Sequence, residues 1–426
     1  MMMKKIWILT QYETPPQYTI HARDQAMSKY LTQAGYDVTI FGSSFLHHMN
    51  VNLITDGSLF IEREYDTEDF GRLKFIHVNA SSYSGNGLSR KTNLLLYPWN
   101  LYRCIKKRGE KPDCIINDLR CMALDFPYRI AKRCGAPIVT QVRDLWPESI
   151  VSYGYMKRKS PLAKFLYRVE RQGYLKSDAI VYTMRGWPDY IRNQNWEGKF
   201  PMEKARYINN GVDLEVFRRN RERFVLDDPD LDDPTTFKVV YTGSVRTASS
   251  LGLLLDAAKA VRNKRVKFLI WGDGDELPGL RKRVAEEGIE NVRFKGRVEK
   301  KYIPSIVGRA DLNIAHNMPS DVIRLYGISF NKVFDYLAAE KPVLSDFPCN
   351  YNPAVEWNAG TSVDEPTPEN VAREVERFAE LDAAQYQTYC DNARKAAEEF
   401  DCARLMKKMI RLIESLDGTA KAGDGK

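Results

Sequence analysis

The stretch of sequence with the clearest chemical potential is a polar, glycine-containing loop that leads into a predicted helix. The helix is expected to begin near Asn331 and to end near Glu340, just before a Pro-Val-Leu strand. A helix N-terminus carries unpaired N–H groups and partial positive charge, which suits a phosphate group. Lys332 in the first turn would add a full charge, and Asp335, one turn later, could accept hydrogen bonds from a ribose diol. The alternative is a helix cap with an ordinary surface lysine and aspartate.

The block from Tyr326 to Val343 resembles the donor-binding loop of the retaining GT-B glycosyltransferases of glycosyltransferase family 4. Members usually carry a glutamate, seven residues and a second glutamate, followed by a helix and a Lys/Arg-Pro-Val strand. Asp335 takes the second acidic position, which holds the ribose in the family. Gly327 takes the first, so the glutamate that contacts hydroxyls of the donor sugar is absent. A subgroup that builds bacterial surface polysaccharides has a similar Gly-Ile/Val-Ser-x-Asn-Lys-x-Phe-Asp-Tyr pattern. The donor residues implied in this block are Ser329, Asn331, Lys332 and Asp335.

Three further segments of the second half each follow a predicted strand. The family places an Arg and a Lys after the first of these strands to hold the diphosphate, and those positions fall on Ser244 and near Ser249. Arg246 is the nearest cation and is predicted to replace them. A Gly-x-Gly loop resembles the family's loop under the nucleotide, where glycines let a backbone approach a ligand closely. Arg297 falls where the family contacts the base. Solvated arginines and a plain helix cap are the alternatives. The donor residues implied here are Gly243, Ser244, Arg246, Gly272, Asp273, Gly274 and Arg297.

Two Asp-x-Asp sequences offer a different interpretation. Asp273-Gly274-Asp275 and Asp228-Pro229-Asp230 resemble the metal-binding motif of the other glycosyltransferase fold. That fold has a single Rossmann-like domain, whereas two are predicted here, so the metal interpretation is disfavoured.

Charged residues also follow a buried strand in the first half of the chain. Arg143 and Asp144 come directly after Ile138–Val142 and are expected at the edge of a cleft. Many relatives carry His-Asp there, while the Asp-Leu-Trp-Pro-Glu run that ends at Glu148 fits the subgroup. The resemblance therefore implies Arg143 and Asp144 as catalytic residues beside Lys332 and Arg246. A structural hydrogen bond from Asp144 to nearby amides is the alternative.

The loop near the N-terminus occupies the position of the family's glycine-rich acceptor loop, although the usual Gly-Gly is missing. His21 and Arg23 could supply polar contacts instead. The predicted acceptor residues are His21, Arg23 and Glu148, with a satisfied surface histidine as the alternative for His21.

The elements that must position these residues alternate between strand and helix, which predicts parallel sheets covered by helices on both faces. Ligands bind beyond the carboxyl ends of the strands in such sheets. The alternation restarts at Phe237, so the predicted fold class is α/β, GT-B, with two Rossmann-like parallel-sheet domains facing a central cleft. The expected boundaries are an N-terminal acceptor-side domain at 1–217, a linker at 218–236, a C-terminal donor domain at 237–398, a C-terminal helix at 399–416 packing on the first domain, and a disordered tail at 417–426.

Composition limits the partners and cofactors. The seven cysteines are scattered without a Cys-x-x-Cys pair and only five histidines occur, so no metal and no cofactor are expected, the nucleotide-sugar being a co-substrate. The short apolar run Ile6–Leu9 is too brief for a signal peptide, and a cytoplasmic location is expected. The net charge of +8 suggests anionic partners. Basic and aromatic residues alternate in Arg90–Lys111 and in Tyr155–Lys176, which suits an anionic membrane surface or simply a solvated face. No nucleic-acid module is visible.

Together these features predict a retaining, metal-independent glycosyltransferase that moves a sugar from a nucleotide-sugar, with UDP favoured, to a saccharide or lipid-linked acceptor in cell-surface polysaccharide synthesis. Three alternatives remain: a sugar-nucleotide epimerase of the same architecture, an inactive donor-binding scaffold, and a nicotinamide enzyme, which lacks its glycine fingerprint.

Overall fold

A computed structural model describes residues 3–18, 23–47, 49–85, 87–120 and 123–423 of the chain. The chain divides into two compact units. Unit 1 contains Met1–Ile208 and Leu405–Lys426, and unit 2 contains Asn209–Arg404. Each unit is a mostly parallel sheet between helices, as the alternation of strands and helices predicts.

Unit 1 contains an eight-stranded sheet in the order β10-β9-β8-β7-β1-β2-β6-β5. All neighbours are parallel except β5, which pairs antiparallel with β6 at the sheet edge. The strands of this sheet are β1 (Lys5–Leu9), β2 (Asp37–Ser43), β5 (Phe60–Thr67), β6 (Gly71–Val78), β7 (Cys114–Asn117), β8 (Ile138–Val142), β9 (Ala179–Tyr182) and β10 (Ala205–Tyr207). A separate antiparallel pair is formed by β3 (Phe45–Leu46) and β4 (Val51–Asn52). The helices are α1 (Arg23–Gln33), α2 (Leu88–Arg108), α3 (Phe126–Cys134), α4 (Glu148–Ser152), α5 (Pro161–Lys176) and α6 (Trp187–Asn193).

Both faces of this sheet are buried, which explains the continuous apolar runs of its strands. Along β1, Ile6 and Ile8 enter one hydrophobic cluster, while Trp7 and Leu9 enter a second cluster on the other face. This division follows the two-residue period of a strand.

Unit 2 contains a six-stranded sheet in the order β13-β12-β11-β14-β15-β16, in which every neighbour is parallel. The chain leaves β11 in one direction and later returns to its other side at β14, so the sheet has a switch point between these two strands. The strands are β11 (Phe237–Thr242), β12 (Val266–Trp271), β13 (Val292–Gly296), β14 (Leu312–Ala315), β15 (Val343–Ser345) and β16 (Gly360–Ser362). The helices are α7 (Leu214–Arg223), α8 (Pro229–Asp232), α9 (Leu251–Ala260), α10 (Leu277–Glu286), α11 (Ile303–Gly308), α12 (Asp321–Tyr326), α13 (Asn331–Ala338), α14 (Pro353–Glu356), α15 (Pro368–Ala379) and α16 (Ala383–Glu399).

The segment predicted as a linker, 218–236, is an integral part of unit 2. It contains most of α7 and all of α8, and Phe217 and Leu231 are buried in the unit 2 core. Burial of these two side chains moves the boundary between units to residues 208 and 209. The last helix, α17 (Cys402–Gly423), places Leu405 and Met409 in a unit 1 cluster beside Ile6. Residues 417–423 of the predicted disordered tail are helical, and 424–426 lie outside the described residues.

Within the described residues, no helix has the length and apolar character that crossing a bilayer requires.

Candidate functional site

Helix α13 is fixed to the carboxyl end of β11 by a buried tyrosine. The hydroxyl oxygen of Tyr336 accepts a hydrogen bond from the Thr242 amide at 2.9 Å and is 3.2 Å from the Thr242 hydroxyl. Phe330, which precedes the helix, offers no side-chain oxygen to its first turn. The Phe330 side chain therefore does not cap the first N–H groups of α13, which lie at the ligand-binding edge of the sheet.

Lys332 lies in the first turn of α13 and packs on a buried tyrosine. Its Nζ donates a hydrogen bond to the Tyr241 hydroxyl at 3.2 Å and lies 4.3 Å from the centre of the Tyr241 ring. Burial lowers the pKa of Lys332, although Tyr336 and Asp346 partly oppose this effect. A Cβ atom on Gly243 would lie only 2.9 Å from Nζ, so a glycine at this position leaves the ammonium room. An anionic ligand beside Lys332 would compensate its partly desolvated charge.

Asp335 lies one turn after Lys332 on the same helix. Burial raises the pKa of Asp335, and the positive charge of Lys300 partly offsets this. Among the described residues, no group donates a hydrogen bond to the Asp335 carboxylate. Two acceptor oxygens thus remain available to a diol.

The two glycines of the Gly-x-Gly loop have a structural explanation that differs from the prediction. A Cβ on Gly272 would lie 1.8 Å from the Gly243 carbonyl oxygen, and a Cβ on Gly274 would lie 2.1 Å from the Val245 carbonyl oxygen. The Val245 amide also donates to the Asp273 carbonyl at 2.9 Å. These glycines are required because the loops after β11 and β12 pack backbone against backbone, and not by ligand approach alone.

The remaining predicted donor residues lie at or beside the same edge of the unit 2 sheet. The Ser244 hydroxyl is 3.1 Å from that of Ser249, and the Ser329 carbonyl accepts a hydrogen bond from Asn210 Nδ2 at 2.6 Å. Arg246 and Arg297 are exposed, in the loops after β11 and β13 respectively. Asn331 opens α13 and is partly buried. Asn210 therefore holds the loop that precedes α13.

A buried histidine–aspartate pair lies at the switch point and was not predicted from the sequence. His316 follows β14 and Asp346 follows β15, with His316 Nδ1 2.5 Å from Asp346 Oδ2. His316 Nε2 lies 3.1 Å from the Ser250 carbonyl, which can only accept. Since both ring nitrogens face oxygens, the imidazolium form is favoured. Burial lowers the pKa of His316, but Asp346 and the two hydrogen bonds outweigh this and raise it.

The His316→Gln variant is expected to change how stability depends on pH. A raised pKa means that the charged pair stabilises the fold below about pH 6.5, and that this contribution is lost as pH rises through the folded-state pKa. Lys332 and Tyr241 also lie near His316, and the Lys332 charge opposes the shift. The variant should lose about 2 kcal/mol at pH 6, the scale of a charge-assisted hydrogen bond. Urea unfolding between pH 6 and pH 9 measures both effects.

His77 provides the matched control for this titration. Burial lowers the pKa of His77 to about 4, so it is neutral throughout the same range. The His77→Gln variant should keep the wild-type slope above pH 6.5. An unchanged slope in His316→Gln would contradict a charged His316.

The Asp-x-Asp sequences have structural partners. Lys295 Nζ lies 2.8 Å from Asp228 Oδ1 and also forms an ion pair with Asp230. The Asp228 side chain in addition accepts hydrogen bonds from the first backbone amides of α8. Asp273 accepts a hydrogen bond from the Gly274 amide at 2.8 Å. Across the described ranges, no group of three or more His, Cys, Asp and Glu side chains is arranged to hold a metal ion.

In unit 1, Arg143 lies within a cluster of buried acids at the carboxyl ends of β1, β7 and β8. Its Nη1 is 2.7 Å from Asp118 Oδ2 and 3.9 Å from Asp24 Oδ2. Burial raises the pKa of Asp118 to about 6 even though Arg143 opposes it, and Asp24 adds to the rise. Burial and Asp24 also raise the pKa of Glu13. Arg143 therefore neutralises neighbouring carboxylates in this unit.

The other predicted acceptor-side residues differ in their surroundings. Asp144 is half exposed and pairs with Arg120 at 2.7 Å. Glu148 is buried and accepts hydrogen bonds from Tyr167 at 2.6 Å, from Gln194 at 3.1 Å and from Arg158. These contacts give Glu148 a structural explanation within unit 1, and its predicted role toward the acceptor stays a prediction. Arg23 donates to Gln141 at 2.8 Å, and His21 lies outside the described residues.

Family comparisons agree with this division into two α/β units. Residues 20–211 match the family described as glycosyl transferase 4-like domain, and residues 236–380 match glycosyl transferases group 1. The chain is 23% identical over 278 residues to the probable glycosyltransferase WbjE of Pseudomonas aeruginosa, covering 64% of this chain and 66% of the relative. It is 25% identical over 199 residues to alpha-D-kanosaminyltransferase of Streptomyces kanamyceticus, covering 44% and 48%. The matches thus span just under two thirds and about half of these relatives.

Solved structures extend the similarity to nearly the whole chain. Sucrose-phosphate synthase from Thermosynechococcus elongatus has a TM-score of 0.70 at 16% identity, covering 98% of this chain and 100% of that one. HepE from Anabaena, solved in complex with UDP, has a TM-score of 0.64 at 14% identity, covering 97% and 100%. At these identities the likeness shows the fold, and the predicted GT-B class is confirmed.

Proposed function

Since the chain carries both domains of a GT-B glycosyltransferase, we propose that it transfers a sugar from a nucleotide-sugar to a saccharide or lipid-linked acceptor in cell-surface polysaccharide synthesis. The observation that carries this proposal is that Lys332 and Asp335 lie one turn apart on α13. The Lys332 ammonium suits the diphosphate, and the Asp335 carboxylate suits the ribose. A UDP-sugar is the favoured donor, which the solved complex of HepE with UDP supports.

The proposed reaction retains the anomeric configuration and needs no metal. The bond between the anomeric carbon and the diphosphate oxygen breaks, and the acceptor oxygen bonds to that carbon on the same face. The departing phosphate takes the proton of the acceptor hydroxyl. Lys332, Arg246 and the N-terminus of α13 stabilise the negative charge that develops on the diphosphate. Asp144, with its half-exposed carboxylate, is the unit 1 residue proposed to orient the acceptor.

Thermal shift with a panel of nucleotide-sugars tests this assignment directly. A ligand that binds only the native state at 100 times its Kd stabilises it by about 2.7 kcal/mol. We expect one UDP-sugar to raise the melting temperature more than UDP, and UDP more than UMP. Transfer is then assayed with the donor that gives the largest shift. Indifference to every nucleotide-sugar would contradict the proposed function.

Asp335→Asn is expected to weaken donor binding by about 10- to 100-fold, the range of one hydrogen bond to a charged group. The amide keeps the shape of the side chain but loses one acceptor oxygen. Calorimetric titration of the free enzyme with UDP measures the change. Asp391→Asn on α16, whose carboxylate pairs with Arg394, is the control and should bind UDP as wild type does. Equal affinities in Asp335→Asn and wild type would remove Asp335 from the donor site.

Chelation of divalent ions is expected to leave the transfer rate within twofold of the untreated enzyme. The charges that stabilise the diphosphate in this proposal belong to Lys332 and Arg246. Initial rates with and without EDTA, and after added Mg²⁺ or Mn²⁺, test this expectation. Strong inhibition by EDTA that Mn²⁺ reverses would favour metal-assisted departure of the diphosphate.

One observation favours a second candidate, an inactive donor-binding scaffold. The position of the family's first glutamate is occupied by Gly327, and Tyr351 packs against it. A scaffold would bind the nucleotide-sugar in the thermal-shift panel and release neither UDP nor transferred sugar with any acceptor. Donor turnover distinguishes the two candidates.

A further inference from the structure

Three helices of unit 1 form a layer on one face of its sheet. The chain passes from β6 to β7, then to β8 and then to β9, always in the same direction across the sheet. Because such crossovers are right-handed, the connecting helices α2, α3 and α5 cover the same face. Side chains link these helices. Trp99 of α2 packs edge-to-face with Phe126 of α3, with ring centroids 5.8 Å apart, and Tyr128 of α3 lies against Gly173 of α5. We call this group the α2–α3–α5 layer.

The charge of this layer is almost entirely positive. The three helices contain thirteen Lys and Arg residues and a single acid, Glu170, which is buried. The whole chain has a net charge of +8, so the rest of it is net negative. Some of these cations are paired, as Arg108 is with Glu62 and Lys176 with Asp125. Lys91, Lys106 and Lys164 are exposed and make no ion pair with any described residue.

Exposed apolar side chains lie among these cations. Trp99 and Leu95 on α2 are 45% and 48% exposed, and Phe165 and Leu162 on α5 are 51% and 59% exposed. Tyr155, in the loop between α4 and α5, is 80% exposed. Of the large exposed hydrophobic residues described in unit 1, all but Met3 and Tyr155 lie on these helices. They follow helical spacing: Leu95 and Trp99 are four residues apart, and Leu162 and Phe165 are three apart, so each pair shares an outward face.

We propose that the outer face of the α2–α3–α5 layer docks on an anionic lipid bilayer. Lysine and arginine side chains are attracted to acidic headgroups, while tryptophan, phenylalanine and leucine enter the boundary between headgroups and acyl chains. Charge alone would equally suit a nucleic acid or another soluble polyanion. The outward apolar side chains favour a bilayer as the partner, because a soluble polyanion has no acyl region into which they could insert. The proposal does not depend on which sugar, donor or acceptor the enzyme uses.

Flotation of the full-length protein with vesicles tests the proposal. Vesicles of phosphatidylcholine alone are compared with vesicles that contain about one third phosphatidylglycerol, without donor or acceptor present. Wild type should bind the anionic vesicles at least tenfold more tightly, with an affinity that falls as salt rises. The triple variant Lys91→Glu, Lys106→Glu, Lys164→Glu should bind them about 100-fold more weakly or worse, since each basic residue contributes about fivefold.

A matched triple variant controls for net charge. Lys264→Glu, Lys395→Glu and Lys407→Glu lower the charge by the same amount at exposed positions outside the layer. Its vesicle binding should stay within about threefold of wild type. Both triple variants should transfer sugar to a soluble acceptor like wild type, so a failure of docking is distinguishable from a failure of the proposed function.

The double variant Trp99→Ser, Phe165→Ser distinguishes binding to a bilayer from binding to a soluble polyanion. It should lose about tenfold or more of vesicle affinity and keep its affinity for heparin, a soluble polyanion. Equal binding of wild type to neutral and anionic vesicles would overturn the proposal. So would an equal loss in the two triple variants, or a double variant that binds vesicles as wild type does.

Discussion

Lys332→Met is expected to lower kcat/KM for sugar transfer by about 10²- to 10³-fold while the fold stays intact. Removing one preorganised group that stabilises developing negative charge typically has an effect of this size. The methionine keeps the length and apolar stem of the side chain, so its packing against the Tyr241 ring is retained and the charge alone is lost. Steady-state kinetics with the donor found by thermal shift measure the loss, and urea unfolding checks stability.

Lys341→Met is the control for this substitution. Lys341 follows the other end of the same helix, and its Nζ lies 5.8 Å from the centre of the Tyr386 ring. It should leave kcat/KM within about threefold of wild type. If Lys332→Met transfers sugar at the wild-type rate, the diphosphate does not depend on this residue and the assignment of α13 to the donor is wrong. A rise in KM without a change in kcat would instead indicate uniform binding of donor and transition state.

The strands of both sheets could be predicted because burial on both faces gives short apolar runs. Ile138–Val142, for example, is a strand with the predicted bounds. Placing Lys332 and Gly243 at one edge also followed from a general rule, that ligands bind where parallel strands end. The structure brings the two residues together, since a side chain on Gly243 would contact the lysine.

Long-range pairings were beyond the reach of the sequence. His316 and Asp346 are neighbours only because β14 and β15 are adjacent strands, and thirty residues separate them in the chain. A single histidine after a strand carries no signal of its partner. The one signal available was position, because each residue directly follows a buried strand of the unit 2 sheet, as several of the predicted donor residues do.

The prediction of a linker at 218–236 was wrong for a related physical reason. Asp228 and Pro229 suggest a break in structure, yet Asp and Pro are also the residues that begin helices. The Asp228 side chain accepts hydrogen bonds from the Asp230 and Leu231 amides, and Leu231 is buried in the unit 2 core. Composition does not distinguish a linker from a short capped helix when the apolar partner lies elsewhere in the chain.

Gly327→Ala is expected to destabilise unit 2 by about 3 kcal/mol or more. Gly327 ends α12 with φ of 91° and ψ of −169°, a backbone conformation that side chains rarely adopt and that costs about 1–3 kcal/mol. A Cβ there would also lie 2.6 Å from Tyr351 Cβ and 2.7 Å from the Tyr351 carbonyl oxygen. Since the second contact is with backbone, a rotamer change cannot relieve it. Urea unfolding monitored by tryptophan fluorescence measures the loss.

Gly288→Ala is the control that separates the cost of the backbone conformation from the cost of the contact with Tyr351. Gly288 also has a positive φ, 63°, but no atom lies within 4 Å of the position that its Cβ would occupy, so only the backbone cost of about 1–2 kcal/mol applies. Equal losses in the two variants would show that Tyr351 moves aside readily, and Gly327→Glu would then be tolerated. If Gly327→Ala loses far more, the family's first glutamate cannot be restored here by a single substitution. The hydroxyls of the donor sugar must then be recognised by other groups, and exchanging donors between this enzyme and relatives with that glutamate would require rebuilding the Tyr351 segment as well.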